Sequence, residues 1–181
     1  MKSIYNNYSW SFLVASPSFS GPYFEESVIL LLEDNEDGSF GVIVNKPTGK
    51  TLAELGSDFD NELGCVEVYD GGPISPERVS LAICSEKDKG EGAFSFGVPP
   101  NKALEILKKD PTAKIAAFAG YSGWASNQLQ DEINEGTWFV SNADIDAMLS
   151  VPATDLWKHI VLKNMKQFEA LQEPQNSPEL N

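Results

Sequence analysis

Eight short runs rich in Val, Ile and Phe, near residues 10–15, 27–33, 39–45, 65–69, 78–84, 93–98, 113–119 and 137–140, constrain this chain more than any other feature. They alternate with polar residues or stay apolar over a strand's length, so strands dominate the first two thirds. The longest of these apolar stretches, Val28 to Leu32, has five residues, whereas a membrane-spanning helix needs about 20. Between the second and third runs lies Asn35-Glu36-Asp37-Gly38, whose Asp-Gly step supplies the positive φ of a tight turn and predicts a β-hairpin.

Helical patterns are fewer. Thr51 stands three residues before Glu54, the spacing of a capping box, which predicts a short helix opening at Leu52. Residues 100–109 put Ala103, Leu104 and Leu107 on one face and close with Lys108 and Lys109 before Pro111. Asn127 with Gln130 predicts another capped helix, and Asp144 and Asp146 mark the first turn of one after Asn142. A final helix is expected from Thr154, with Leu156, Trp157, Ile160, Val161, Met165 and Phe168 at helical spacing. Residues 1–168 therefore read as one domain and 169–181, where the apolar pattern fades, as a flexible tail.

Charge narrows the function. The 181 residues carry 27 Asp and Glu against 13 Lys and Arg, a net charge of −14, and Arg78 is the sole arginine. Phosphate neutralisation supplies most nucleic-acid affinity, so no direct nucleic-acid partner is expected, and the same field disfavours anionic membranes. The first residues lack the basic start and apolar stretch of a secretory signal, which makes the cytoplasm the expected location. Cys65 and Cys84 have no metal-binding spacing and His159 is the only histidine, so neither metal nor cofactor is expected.

Three segments imitate catalytic or binding motifs. Thr48-Gly49-Lys50-Thr51 matches the end of a phosphate-binding loop, but Val44 stands where its first glycine belongs and Pro47 removes a backbone donor, which favours a turn plus a helix cap. Glu33, Asn35, Asp37 and Gly38 have calcium-loop spacing, yet position twelve is Val44 rather than a bidentate acid. Gly120-Tyr121-Ser122-Gly123-Trp124 approaches a nucleophile elbow, with Trp124 in place of the second glycine. His159 follows Asp155 by four, the spacing of an ordinary surface pair on a helix. No catalytic constellation emerges from these segments.

Ala15-Ser16-Pro17, Pro22-Tyr23-Phe24-Glu25-Glu26-Ser27-Val28-Ile29, Gly41-Val42-Ile43-Val44-Asn45-Lys46-Pro47, Gly71-Gly72-Pro73 and Gly120-Tyr121-Ser122-Gly123-Trp124 with Gln128-Leu129 closely resemble the AlgH/YqgE family in order and spacing. The resemblance runs from about residue 9 to residue 162. It implies an α+β fold whose bifurcated, mostly antiparallel sheet forms a pseudo-barrel with flanking helices. It implies little about chemistry: some members carry a transcriptional-regulator label, with no helix-turn-helix associated with it. The family often has Ala where this chain has Ser122, which argues against a shared serine nucleophile. It often has Gly and Glu where this chain has Asn127 and Gln130, and Asn127 retains the ability to cap a helix.

The expectation is a non-enzymatic cytoplasmic domain that binds a small ligand or a protein partner, with a regulatory outcome. The alternative is a small hydrolase built on Ser122 and His159, or a nucleotide-binding enzyme built on Lys50 and Thr51. Asn45, Lys46, Gly71, Gly72, Tyr121, Ser122 and Trp124 are the candidate ligand-binding residues, on turns expected to converge around one concavity. Lys46 is the only cation among them, which points to an anionic group on the ligand. Oligomeric state has no signature in the sequence.

Overall fold

A computed structural model describes residues 6–18, 21–56, 59, 62–85, 94–165 and 169. Among them nine strands form one open sheet: β1 (Ser11–Ala15), β2 (Val28–Asn35), β3 (Gly38–Ile43), β4 (Pro47–Thr51), β5 (Glu67–Asp70), β6 (Ile74–Cys84), β7 (Phe94–Phe96), β8 (Lys114–Ala125) and β9 (Trp138–Asn142). Five α-helices accompany them: α1 (Leu52–Leu55), α2 (Pro100–Lys109), α3 (Gln128–Asn134), α4 (Ile145–Ser150) and α5 (Ala153–Lys163). The main path runs β4-β5-β8-β3-β2-β1-β9, with β6 branching from β8 and β7 attached to β6. Every pairing is antiparallel except β5 with β8. This is the bifurcated α+β architecture expected from the resemblance.

The fork lies in β8. Its first half, through Ala119, sits between β5 and β6, whereas Ser122 to Ala125 pair with β3. Between the halves Gly120 takes φ +70°, and a Cβ there would lie 2.4 Å from the Gly72 carbonyl oxygen, so only glycine permits the crossing. β6 accommodates the fork by shifting register between Ile74 and Val79, with Ser75 at φ 49°. Both strands therefore extend beyond the runs read from sequence: β6 begins at Ile74 and β8 continues to Ala125.

The central strands are apolar on both faces because both are covered. Phe12, Val14, Val28, Leu30 and Val42 face one core, shared with Ala82, Phe94 and Phe118 from the other half of the sheet and with Leu156 and Ile160 from α5. The two halves thus curl over a common interior without closing. Leu13, Ile29, Leu31 and Ile43 face a second core under Leu129 of α3, with Trp124 and Trp138. A third, formed by Leu52, Leu63, Val68, Leu81 and Ala103, seats α1 and α2. Full burial of a Leu or Ile is worth about 1.5–3 kcal/mol, so Leu156 and Ile160, at 1% and 3% exposure, are enough to fix the docked face of α5.

Local signals mostly hold. Glu54 accepts from the Thr51 backbone N–H at 2.7 Å, closing the capping box, and Asp144 accepts from Ala147 N–H at 2.9 Å at the start of α4. Asn127 is different: it precedes α3 in the left-handed region, φ 65°, and its side chain makes no capping bond. Gln128 instead ties the start of α3 to the end of β8, its Oε1 accepting from Ala125 N–H at 3.0 Å. No described helix is long and apolar enough to cross a membrane. Phe168 and the expected tail, apart from Glu169, lie outside the described residues.

Candidate functional site

Three distant segments meet at Gly71. Its carbonyl accepts from Ile43 N–H at 3.0 Å and from the Ser122 hydroxyl at 3.3 Å, and its own N–H donates to Ala119 at 2.8 Å. One residue earlier, Asp70 N–H donates to the Lys46 carbonyl at 2.9 Å. One residue later, a Cβ on Gly72 would fall 2.2 Å from the Tyr121 carbonyl carbon, so this contact of backbone on backbone requires glycine. The ends of β3 and β5 and the fork in the middle of β8 are therefore locked together.

Above this junction lies the loop carrying Tyr23. The Tyr23 hydroxyl donates to Asp70 Oδ1 at 2.6 Å, and the same oxygen accepts from Gly72 N–H at 3.2 Å. Lys46 Nζ donates to the Tyr23 carbonyl and sits 5.8 Å from the centre of the Tyr23 ring. Asn45, 6% exposed, secures the same loop: its Oδ1 accepts from Val28 N–H and its Nδ2 donates to the Glu26 carbonyl, both at 2.8 Å. Tyr23 itself remains 38% exposed.

The electrostatics follow from partial burial among acids. Burial pushes the Lys46 ammonium below its ordinary value, while Asp70, Glu25 and Glu26 pull it back up. Burial, then the Asp70 hydrogen bond and charge, raise the Tyr23 phenol. With three carboxylates around one ammonium, the local field is negative and favours donors and cations. Lys46 is thus not an isolated cation, as its sequence neighbourhood alone suggests.

The structure thus gathers Asn45, Lys46, Gly71, Gly72, Tyr121 and Ser122 at one junction, with different parts. Tyr121 contributes backbone there, while its ring packs against Phe40 with centroids 6.1 Å apart. Trp124 is directed elsewhere: it is 7% exposed, stacks edge-on against Trp138 at 6.0 Å, and donates its indole N–H to Glu132 at 2.8 Å. Trp138 donates to the same Glu132 oxygen at 2.7 Å. Trp124 is a core residue linked to the Tyr23 ring through neighbouring rings, from Trp138 to Phe24 at 5.5 Å and from Phe24 to Tyr23 at 5.0 Å.

The motif imitations also resolve. Thr48 to Thr51 lie in β4, paired with β5, rather than in a phosphate-cradling loop, and Lys50 is exposed. Thr48 Oγ1 donates to the Val68 carbonyl at 2.7 Å, and α1 is a single turn. Ser122 is 1% exposed within an extended strand, not at a strand-to-helix elbow. His159 is exposed on α5, where its charge acts on Asp144. Among the described residues no group of three or more His, Cys, Asp or Glu is placed to hold a metal. Sequence reasoning missed Tyr23 and Asp70 as site residues, although Pro22-Tyr23-Phe24-Glu25-Glu26 and Asp70-Gly71-Gly72-Pro73 were both conspicuous; the separation of 47 positions between the two partners hides the hydrogen bond.

A family model described as AlgH-like (DUF179) matches residues 12–168. The UPF0301 protein SCO2948 of Streptomyces coelicolor is 30% identical over 179 residues, covering 93% of each chain. A UPF0301 protein of Parabacteroides distasonis is 35% identical over 159 residues, covering 83% of this chain and 80% of its own. The solution structure of the AlgH protein from Pseudomonas aeruginosa superposes with a TM-score of 0.68 at 20% identity, covering 98% of this chain and all of the other. The crystal structure of DIP2367 from Corynebacterium diphtheriae gives 0.69 at 22% identity, covering 97% and 92%. The motifs, the forked sheet and the family match agree: this chain belongs to the AlgH-like family.

Proposed function

We propose that the protein is a non-enzymatic binding domain of the cytoplasm whose protein partner docks on the surface formed by Tyr23, Lys46 and Asp70. One observation carries this reading: an aromatic ring left 38% exposed is pinned between charged groups brought from segments far apart in the chain. A tyrosine held this way offers apolar area and a polar tip at small entropic cost, the character of an interface anchor. The surrounding carboxylates suit a partner that presents lysine, arginine or backbone N–H groups. A regulatory outcome would run through that partner, because a chain of net charge −14 repels the phosphates of duplex DNA.

Affinity capture from lysate of the source cell, with mass spectrometry of co-purifying proteins and metabolites, tests the reading. Wild-type protein is compared with Tyr23→Ala and Asp70→Lys, and with Lys109→Glu on the exposed face of α2 as a control. The expected result is a protein set retained by wild type and Lys109→Glu and lost by the other two. Capture unaffected by Tyr23→Ala and Asp70→Lys, or enrichment of a metabolite alone, contradicts it.

A further inference from the structure

We propose that two copies of this chain associate through the outer edge of β9, which pairs antiparallel with itself about Val140 to make one continuous sheet. This does not depend on the reading given for the Tyr23 surface. β9 ends the main path of the sheet, and among the described residues it pairs with β1 alone.

The register decides which backbone groups of β9 point outward. In an antiparallel ladder, opposed residues alternate between pairs that exchange both hydrogen bonds and pairs that exchange none. Ser16 N–H donates to the Thr137 carbonyl at 3.0 Å, which makes Ser16–Thr137 a bonded pair and, along the register, Val14–Phe139 and Phe12–Ser141 as well. The other side of β1 agrees. Ala15 N–H donates to the Ser27 carbonyl at 2.9 Å, so Leu13, two residues back, bonds to Ile29 of β2 rather than to Val140 of β9. Val140, opposite Leu13, therefore directs both its N–H and its carbonyl away from β1. Among the described residues neither group has a hydrogen-bond partner, and Val140 is part-exposed.

Sheets guard an outer edge with proline, a bulge, a charge or short length. β4, at the far end of the same path, has Pro47, exposed Lys50 and a register shift between them, and β7 has only three residues. β9 has none of these guards: Trp138-Phe139-Val140-Ser141-Asn142 contains no proline and no charge, and its register with β1 is unbroken. A second β9 fits such an edge. In a chain of net charge −14, this strand lets two copies meet with no like charges opposed. Two-fold symmetry about Val140 makes each Val140 donate to and accept from the other, with the two β-branched side chains abreast on one face. Phe139 then stands opposite the partner's Ser141, and Trp138 opposite the partner's Asn142. The pairing uses both β9 edges at once and leaves the guarded β4 at each end of the path, so it closes at two copies.

The test is analytical ultracentrifugation of the full chain from about 1 μM to about 1 mM, the range in which a small interface dissociates. Wild type should pass from monomer to dimer as concentration rises and stop there. Val140→Lys and Val140→Glu put like charges directly opposite across the two-fold, so each should remain monomeric, while an equimolar mixture of the two should recover the dimer. Val140→Pro, which removes the outward N–H and keeps the bonds to β1, should also remain monomeric. If these variants fail to fold, amide exchange of wild type decides: Val140 N–H should exchange about tenfold more slowly at the top of the concentration range than at the bottom. A monomer throughout, which would leave the edge to a foreign strand, overturns the proposal. So do dimers that persist in both Val140→Lys and Val140→Glu, a mixture of the two that stays monomeric, growth beyond the dimer, or exchange at Val140 that is independent of concentration.

Discussion

Replacing Asn45 with alanine should destabilise the protein by about 1.5–4.5 kcal/mol. Its side chain holds two partners, Val28 N–H and the Glu26 carbonyl, each at 2.8 Å. Val28 is wholly buried, so loss of its acceptor strands a donor away from water, at a cost of about 1–3 kcal/mol. Glu26 is exposed, and water can reach its carbonyl, so that loss adds only about 0.5–1.5 kcal/mol. For a chain of this size the sum lowers Tm by roughly 3–18 °C. Asn45→Asp serves as a companion, because it keeps an acceptor for Val28 but turns the donor into a carboxylate oxygen facing the Glu26 carbonyl; it should destabilise too. Urea unfolding followed by tryptophan fluorescence gives the free energy, and calorimetry the Tm. A loss below about 0.5 kcal/mol for Asn45→Ala, the level of an ordinary surface change, would refute the claim that Asn45 ties the Tyr23 loop to the sheet.

Ser27, the neighbour on the same loop, should respond in the opposite direction: its fully buried hydroxyl finds no hydrogen-bond partner among the described residues, so Ser27→Ala should raise stability by up to about 1 kcal/mol, read as a higher urea midpoint. Asp144 is held below the usual carboxylate range chiefly by the Lys163 hydrogen bond and then by Ala147 N–H. Its contribution is therefore fully present above the unfolded value near 3.9 and lost as pH falls through the lower folded value. Asp144→Asn, which keeps a capping oxygen, should cost under about 1 kcal/mol at pH 7, because the pair is partly solvent-screened, and progressively less as the pH falls below about 3.9. At pH 8 a thiol reagent should label exposed Cys65 in the native protein and reach Cys84 only on unfolding, because burial pushes the Cys84 thiol up to about 12; mass spectrometry showing double labelling of folded protein would contradict this.

Elements carried by local chemistry were legible in the sequence. The β2–β3 hairpin follows from Asp37-Gly38 between apolar runs, α1 from the Thr51–Glu54 box, and α5 from its helical spacing beyond Pro152. β4 was not legible, since Pro47-Thr48-Gly49-Lys50-Thr51 has no apolar alternation and becomes a strand only by pairing with β5. The extension of β8 through Gly120-Tyr121-Ser122-Gly123 was hidden for the same reason: its composition signals a turn, whereas pairing with β3 draws it straight. At the site, the glycines pointed to the right junction but not to its exposed chemistry. Lys46 read alone suggested an anion, and only the fold shows Asp70, Glu25 and Glu26 acting on it. Trp124 looked like a pocket aromatic because nothing local reveals that Glu132 takes its indole N–H.

Site-specific photo-crosslinking in living cells tests the central claim most directly. A photoreactive residue at exposed Glu25 lies beside the Tyr23–Asp70 bond without breaking it, and one at Lys109 on α2 provides the control. The binding account predicts a discrete protein adduct from position 25, absent from position 109 and lost when Asp70→Lys is added. No adduct at 25, or the same adducts from both positions, would contradict it.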